Sequence, residues 1–426
     1  MTLGWLSIVR LGLVQTCLGA IVVLTTSTLN RLMVIELALP AVLPGLLVAL
    51  HYGIQMTRPN WGFISDQGGN RTRWIVLGMI ALALGGFGAA LGVVLLQTVW
   101  ISGLLLSIVS YALIGLGVGA SGTSLLALLA TSTAPHRRAA AATITWLMMI
   151  FGIAVTAGTV GAFLDPYSPE LLLKIVAIVC VSAVVVTMLA TLGIERGITS
   201  EVSTADPMGF AEGLREVWSE PKARIFTIFV FLSMTAYFMQ ELILEPYAGL
   251  VFGFTPGQST SLSGAQNGGV FVGMLTVGIA ATGLRLGQLR HWVVAGCLGS
   301  ALTLIFITII GQLGHIPLTP FVVGLGFFNG MFAVAAIGSM MALAGDGRET
   351  REGTRMGLWG AAQAIAAGFG GLLGAAAVDL MRGPLPDATA FGAVFLLEAS
   401  LFLAAALMAS RTMENRAPDA RLIAGE

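Results

Sequence analysis

Apolar residues run along this chain in blocks of about twenty, each long enough to cross the hydrocarbon core of a bilayer, and short polar stretches separate them. Twelve such runs can be counted, near 8–29, 34–56, 74–97, 100–130, 140–163, 170–194, 225–248, 262–284, 292–314, 318–344, 355–381 and 389–410. No small-residue cleavage site follows the first, so it is expected to be a span and not a signal peptide. The longest polar stretch, Glu195 to Arg224, follows the sixth run and divides the twelve into two sets. The pattern predicts an all-α membrane protein of twelve helices in a 6+6 arrangement. Its parts would be an N-terminal six-helix bundle over 1–194, a cytoplasmic linker over 195–224, a C-terminal bundle over 225–410 and a cytoplasmic tail over 411–426.

Basic residues orient this scheme. With both termini cytoplasmic, eighteen of the twenty-one Lys and Arg fall on the cytoplasmic side, leaving only Arg31, Lys174 and Arg382 for the other. That is the bias expected of a multi-pass protein in a bacterial inner membrane.

Composition narrows the function classes. Only 10% of the 426 residues are charged and 56% are apolar, with a mean hydropathy of +0.91, whereas soluble domains carry about 25% charged residues. Twenty-one basic against twenty-one acidic residues give zero formal charge. No basic surplus exists for nucleic acid. Cys17, Cys180 and Cys297 lie far apart in apolar runs, which argues against a disulfide framework and against a protein-bound metal ion.

The two halves also repeat. A displacement of 213 positions places Arg138 on Arg351, Trp146 on Trp359, Gly117 on Gly330 and Gly158-x-x-Gly161 on Gly371-x-x-Gly374. Parallel six-helix repeats are the layout of major-facilitator transporters. The loop between the second and third runs resembles the signature of that superfamily: Gly62, Asp66, Gly69, Arg71 and Arg73. Its glycines permit a tight reversal, and Asp66 could receive arginines or a helix N-terminus as a cytoplasmic latch. A plain positive-inside turn is the alternative. The equivalent stretch in the second half, Gly283 to Arg290, lacks the Asp.

Ionisable residues inside apolar runs are functional candidates. The helices expected to line a central cavity offer Gln15, Thr25, Thr26, Ser107, Tyr111 and Asn329 but no central carboxylate. Glu241 and Glu245 stand one turn apart near the outer end of the seventh run. Arg31 and Glu36 occupy the matching end of the first hairpin, and these four residues are read as an ionic clasp between the halves. Separate snorkelling charges are the alternative. Glu398 falls in the middle of the last run, on a helix expected at the periphery. It calls for a partner there, in a neighbouring helix, another protein or a metal-bearing ligand, unless it is a neutral acid bonded to a backbone carbonyl. His51 is the sole histidine within a span, with Gln55 one turn on. It reads either as an axial ligand for a ring-bound metal or as a hydrogen-bonded packing residue. Gln15 and Asn30 are further polar candidates.

In the linker, Phe210, Leu214 and Trp218 recur every four residues, a short amphipathic helix suited to the cytoplasmic interface. No Walker loop, nucleophile elbow, His-Glu-x-x-His or cysteine pair occurs, and no enzyme activity is expected.

Several longer strings are more specific than the layout. They include Arg10-Leu-Gly-Leu-Val-Gln15, Leu29-Asn-Arg-Leu-Met-Val-Ile-Glu36, His51-Tyr-Gly-Ile-Gln55-Met-Thr-Arg58-Pro59, Thr143-Ile-Thr-Trp-Leu-Met-Met-Ile and Leu244-Glu-Pro-Tyr-Ala-Gly-Leu-Val-Phe-Gly253. With them the chain resembles the PucC/LhaA family, the bacteriochlorophyll-delivery branch of the major-facilitator superfamily, and most closely the form encoded with bacteriochlorophyll-synthesis genes. The resemblance implies a factor for assembling light-harvesting complexes in the photosynthetic, intracytoplasmic membrane. Its partners would be bacteriochlorophyll synthase, light-harvesting polypeptides, or both. It also implies bacteriochlorophyll as the bound pigment, with His51, Gln55, Gln15, Asn30 and Glu398 as candidate contacts. A secondary transporter of a small amphipathic solute and a ligand-free scaffold are the competing readings.

Overall fold

The computed structural model describes residues 3–57, 70–134, 138–195, 218–283, 286–345 and 352–412. The described residues are helical apart from short connections. In chain order the helices are α1 (Trp5–Glu36), α2 (Val42–Ile54), α3 (Arg71–Leu96), α4 (Trp100–Ser132), α5 (Arg138–Phe163) and α6 (Pro169–Thr191). The second half supplies α7 (Pro221–Phe252), α8 (Pro256–Val277), α9 (Leu289–Leu313), α10 (Thr319–Gly345), α11 (Glu352–Arg382) and α12 (Asp387–Thr412).

Ten of these are long and apolar enough to cross a membrane. Two that the hydrophobic pattern counts as spans fall outside that set. Helix α2 is short, with 13 residues, and α8 carries Gln258, Ser259, Thr260, Ser261, Ser263, Gln266 and Asn267, which dilute its apolar character. The first two elements also divide differently from the pattern. Helix α1 continues past residue 29 to Glu36 by way of two wide turns, Leu24–Thr28 and Leu32–Glu36, each an i→i+5 stretch.

Outward faces are apolar as well as inward ones. Helix α6 buries one stripe (Leu172, Val176, Cys180, Ala183, Thr187 and Ala190), while Ile178, Val181, Val185 and Leu189 remain exposed. A helix apolar on every side is matched to lipid, not to water.

Buried apolar side chains gather in two large clusters, one spanning Leu3 to Ile194 with Leu242, the other Ala223 to Ala409. Packing in the second half repeats that of the first six helices on. Helix α1 packs on α5 and α6, and α7 on α11 and α12; α3 packs on α4 and α6, and α9 on α10 and α12. The halves meet through α2 on α11 and α5 on α8. Helices α3 and α4 approach so closely that a Cβ on Gly78 would lie 2.5 Å from the Ser121 amide, and one on Gly117 would lie 2.5 Å from that of Leu82. The repeated Gly-x-x-Gly pairs serve different neighbours. Gly161 backs onto Gly257 and Ser261 of the opposite half, whereas Gly371 and Gly374 back onto Leu242 and Met239 of their own.

Candidate functional site

The densest polar constellation lies where the far half of α1, the part remote from the chain termini, meets α7 and α8. The wide turns of α1 are its organising feature. An i→i+5 turn offsets the helical register and leaves carbonyls to be satisfied from outside. The Tyr111 hydroxyl, fully buried on α4, donates to the freed Thr25 carbonyl at 2.8 Å.

From the same stretch a row of side chains crosses to the second half. The Ser27 hydroxyl donates to the Glu245 carboxylate, and Ser27 and Ser263 share a hydrogen bond at 2.8 Å. Thr28 and Thr260 share another at 3.2 Å. Asn30 donates its amide to the Leu242 carbonyl at 2.7 Å. Arg31 donates to Glu36 at 2.7 Å and, through its other terminal nitrogen, to the Phe254 carbonyl at 2.8 Å. All these α1 residues but Glu36 are buried.

The expected ionic clasp therefore takes another form. Among the described residues, Arg31 pairs with Glu36 of its own half and with neither Glu241 nor Glu245. Glu245 receives a serine hydroxyl, and Glu241 has Thr26 as its polar neighbour. The reason is positional. The Arg31 guanidinium lies over Gly249, one turn beyond Glu245, where the absent side chain leaves it room to reach Phe254. Across this seam the halves share a row of hydrogen bonds, side chain to side chain at Ser27 and Thr28 and side chain to main chain at Asn30 and Arg31.

Two more cross-half connections complete this seam, and sequence reasoning missed both. Asp379, near the end of α11, accepts the backbone N–H groups of Ala41 and Val42 at 2.9 and 2.7 Å, at the start of α2. Asp165, just after α5, accepts the Gly257 N–H at 3.0 Å and the Thr255 hydroxyl, at the start of α8. Carboxylates at helix N-termini satisfy orphan donors and complement the helix dipole. The signal was present in the repeat, since Asp379 stands 214 positions after Asp165 (379 − 165), close to the displacement that aligns the halves.

The described side of the chain near the termini is different. Glu195 accepts the N–H groups of Arg71 and Thr72, each at 3.0 Å, Asn70 caps the Arg73 N–H at 3.1 Å, and Arg71 donates to the Ala127 carbonyl at 3.2 Å. These bonds stay within the first half. Gly62, Asp66 and Gly69 of the loop signature, and the linker pattern from Phe210 to Leu214, lie outside the described residues.

The pigment-contact candidates do not converge. His51 and Gln55 do meet: both are buried, and the histidine Nε2 and the glutamine amide share a bond of 2.8 Å. The pair faces inward, with the His51 carbonyl against Gly115 of α4. Imidazole and amide are suitable donor types for a chlorin magnesium, and here Nε2 of the ring is hydrogen-bonded to the amide, the way a ligating histidine is oriented through its second nitrogen. Gln15 is buried on α1, four turns from Asn30, whose amide is committed to Leu242.

Glu398 matches one half of its second reading, the buried acid, but not the carbonyl bond. It is fully buried inside the second half, with 0% exposure, and does not face lipid. Among the described residues neither carboxyl oxygen has a hydrogen-bond partner, a backbone carbonyl included. Thr308 donates to the Gly392 carbonyl across α9 and α12, and this antiparallel register sets Glu398 level with α9 residues near Leu302. Its own face of α12 carries Phe391, Phe395 and Phe402, which surround it with apolar bulk.

Two buried clusters and a helix packing that repeats from one half to the other define a membrane protein with the fold of the major-facilitator transporters. Solved structures agree over nearly the whole chain. A POT-family peptide transporter in complex with alafosfalin matches with a TM-score of 0.71 at 15% identity, covering 96% of each chain. A bacterial homologue of the lysosomal transporter Spinster matches at 0.69 and 15%, over 95% of this chain and 96% of that one. Residues 28–417 match the family model described as PUCC protein, and the chain belongs to the PucC family. It is 70% identical over 416 residues to the "Bacteriochlorophyll synthase 44.5 kDa chain" of Rhodobacter capsulatus, covering 98% of this chain and 97% of that protein. It is also 30% identical over 429 residues to "Protein PucC" of Cereibacter sphaeroides, at 93% and 90% coverage.

Proposed function

We propose that this protein is a membrane assembly factor that binds or delivers bacteriochlorophyll while light-harvesting or photosynthetic complexes are built. In this reading it works beside bacteriochlorophyll synthase, the light-harvesting polypeptides, or both, and is not itself an enzyme. Kinship carries the proposal: a relative 70% identical over nearly the whole chain bears the name of the pigment's synthase. The reading completes the topology with α2 and α8 as further spans, giving twelve, both termini cytoplasmic, in the intracytoplasmic inner membrane. It treats the two clusters as an N-terminal and a C-terminal bundle joined by the 195–224 linker.

The physical features are consistent with a hydrophobic cargo. The ionisable side chains of the seam are buried or paired rather than lining a central path, and many outward-facing helix positions are large apolar residues. An apolar pigment handled within the bilayer need not cross it, so a relay of central carboxylates is not required. In this reading His51, oriented by its bond to Gln55, is a candidate pigment contact.

The test is purification in mild detergent from a pigment-making host, followed by an absorption spectrum and a probe for retained bacteriochlorophyll synthase. Near-infrared bands co-purifying with the protein, and weakening in His51→Ala, are the expected result. A colourless preparation free of the synthase, together with substrate-driven solute uptake into liposomes containing this protein alone, would overturn the reading in favour of a secondary transporter.

A further inference from the structure

On the side remote from the termini, the ends of α1 and α3, the start of α4 and the turn before α6 enclose a cleft of about 490 Å³. Glu36, Gln97, Trp100 and Tyr167 line it together with three leucines. We propose that this cleft binds an alkylammonium group, such as the headgroup amine of phosphatidylethanolamine.

Charge is the first argument. Glu36 and Arg31 form an ion pair, but their exposures differ: 34% of the Glu36 side chain is accessible and only 3% of Arg31. The guanidinium is turned toward Phe254 of the other half. The cleft therefore meets the carboxylate and not the cation that neutralises it.

The second argument is the company that carboxylate keeps. The Tyr167 hydroxyl is buried beside the Gln97 side chain. Burial, and then the negative charge of Glu36, push its phenol above the ordinary value, against smaller opposing effects from Gln97 and Arg31. Trp100 is half-exposed and forms an aromatic wall. An anion, a hydroxyl oxygen, an amide oxygen and two aromatic rings around one space make an environment that attracts a cation and offers an anion little. The leucines suit the apolar part of an amphiphile. Val99 and Ile101 beside Trp100 are exposed at the helix end, the level at which Trp and Tyr gather at membrane interfaces.

Native mass spectrometry of the full chain in detergent, supplemented with phosphatidylethanolamine or phosphatidylglycerol, tests this. Retention of the ethanolamine lipid is expected to exceed that of the glycerol lipid by about fivefold, as one cation–π contact of about 1 kcal/mol would give. Glu36→Gln should abolish the preference. Because that change also removes the partner of Arg31, Trp100→Ala is the second variant, expected to lower the preference with an unchanged melting curve. If millimolar ethanolamine alone raises the melting temperature of the wild type as much as the lipid does, the ammonium comes from a small solute. Protection by the lipid only assigns it to the bilayer. Equal retention of both lipids, or wild-type preference in both variants, would overturn the proposal.

Discussion

The carboxylate of Asp379 accepts the backbone N–H of Val42 at 2.7 Å, tying the end of α11 to the first turn of α2 in the opposite half. Asp165 holds Gly257 in the same manner at 3.0 Å. Each bond joins a charge to a helix terminus, so neither can be found by matching acids with bases along the sequence.

Asp379→Ala and Asp165→Ala should each lower stability by about 1 kcal/mol, the usual cost of a lost helix cap. The two sites share no partner, so the double variant should lose close to the sum. Thermal melting in detergent measures this. A cysteine placed at Thr28 should also react faster with a membrane-impermeant maleimide once both caps are gone, because the seam they hold contains Thr28 and Thr260.

Glycines at the two starts should not be equally replaceable. A Cβ on Gly257 would lie 2.5 Å from both the Asp165 carboxylate and the Gly161 carbonyl, whereas one on Gly45 would meet the Ala375 methyl at 3.2 Å. Gly257→Ala must displace backbone and cap together and should cost about 1–3 kcal/mol, as overpacking does, while Gly45→Ala should be close to neutral. Melting temperatures of the two variants decide it.

Ser27→Ala removes a hydroxyl donor to Glu245 Oε1, while Oε2 has no hydrogen-bond partner among the described residues. Leaving a buried acceptor unsatisfied costs about 1–3 kcal/mol, yet replacing both partners by apolar groups can be nearly neutral. Ser27→Ala should therefore destabilise, and Ser27→Ala with Glu245→Leu should recover most of the loss. A double variant less stable than Ser27→Ala would contradict this account.

Glu398→Leu should raise stability. The carboxyl is fully buried, unbonded and packed beside Phe395 and Phe402, and an unsatisfied buried polar group costs about 1–3 kcal/mol that an isosteric apolar side chain does not. The expected signature is a melting temperature several degrees above wild type. An acid kept at such a position despite its cost also predicts that the more stable variant works less well in complex assembly, which pigment-complex yield in the host would measure.

Much of the architecture was legible in the chain because a bilayer imposes a one-dimensional rule: apolar length must match hydrocarbon thickness. The ten long spans, the repeat and the family follow from runs and strings read in order. Helices α2 and α8 blur this reading because α2 is short, with 13 residues, and α8 carries a polar stretch from Gln258 to Asn267. Candidate chemistry was legible only as residue type. Arg31, Glu36, Glu241 and Glu245 could be picked out as charges at one end, and His51 with Gln55 as a pair one turn apart.

Partners were another matter. The sequence by itself determined a multi-pass helical protein of the PucC family, since hydrophobic periodicity and motif strings are local properties of the chain. Tertiary structure alone decided that Arg31 reaches a carbonyl in the other half, that Asp165 and Asp379 cap helices across the seam, and that Glu398 points into apolar bulk. A buried polar group is satisfied by whatever the fold brings within 3 Å, and main-chain N–H and C=O groups, which every residue carries, leave no mark in the sequence to show where that will be.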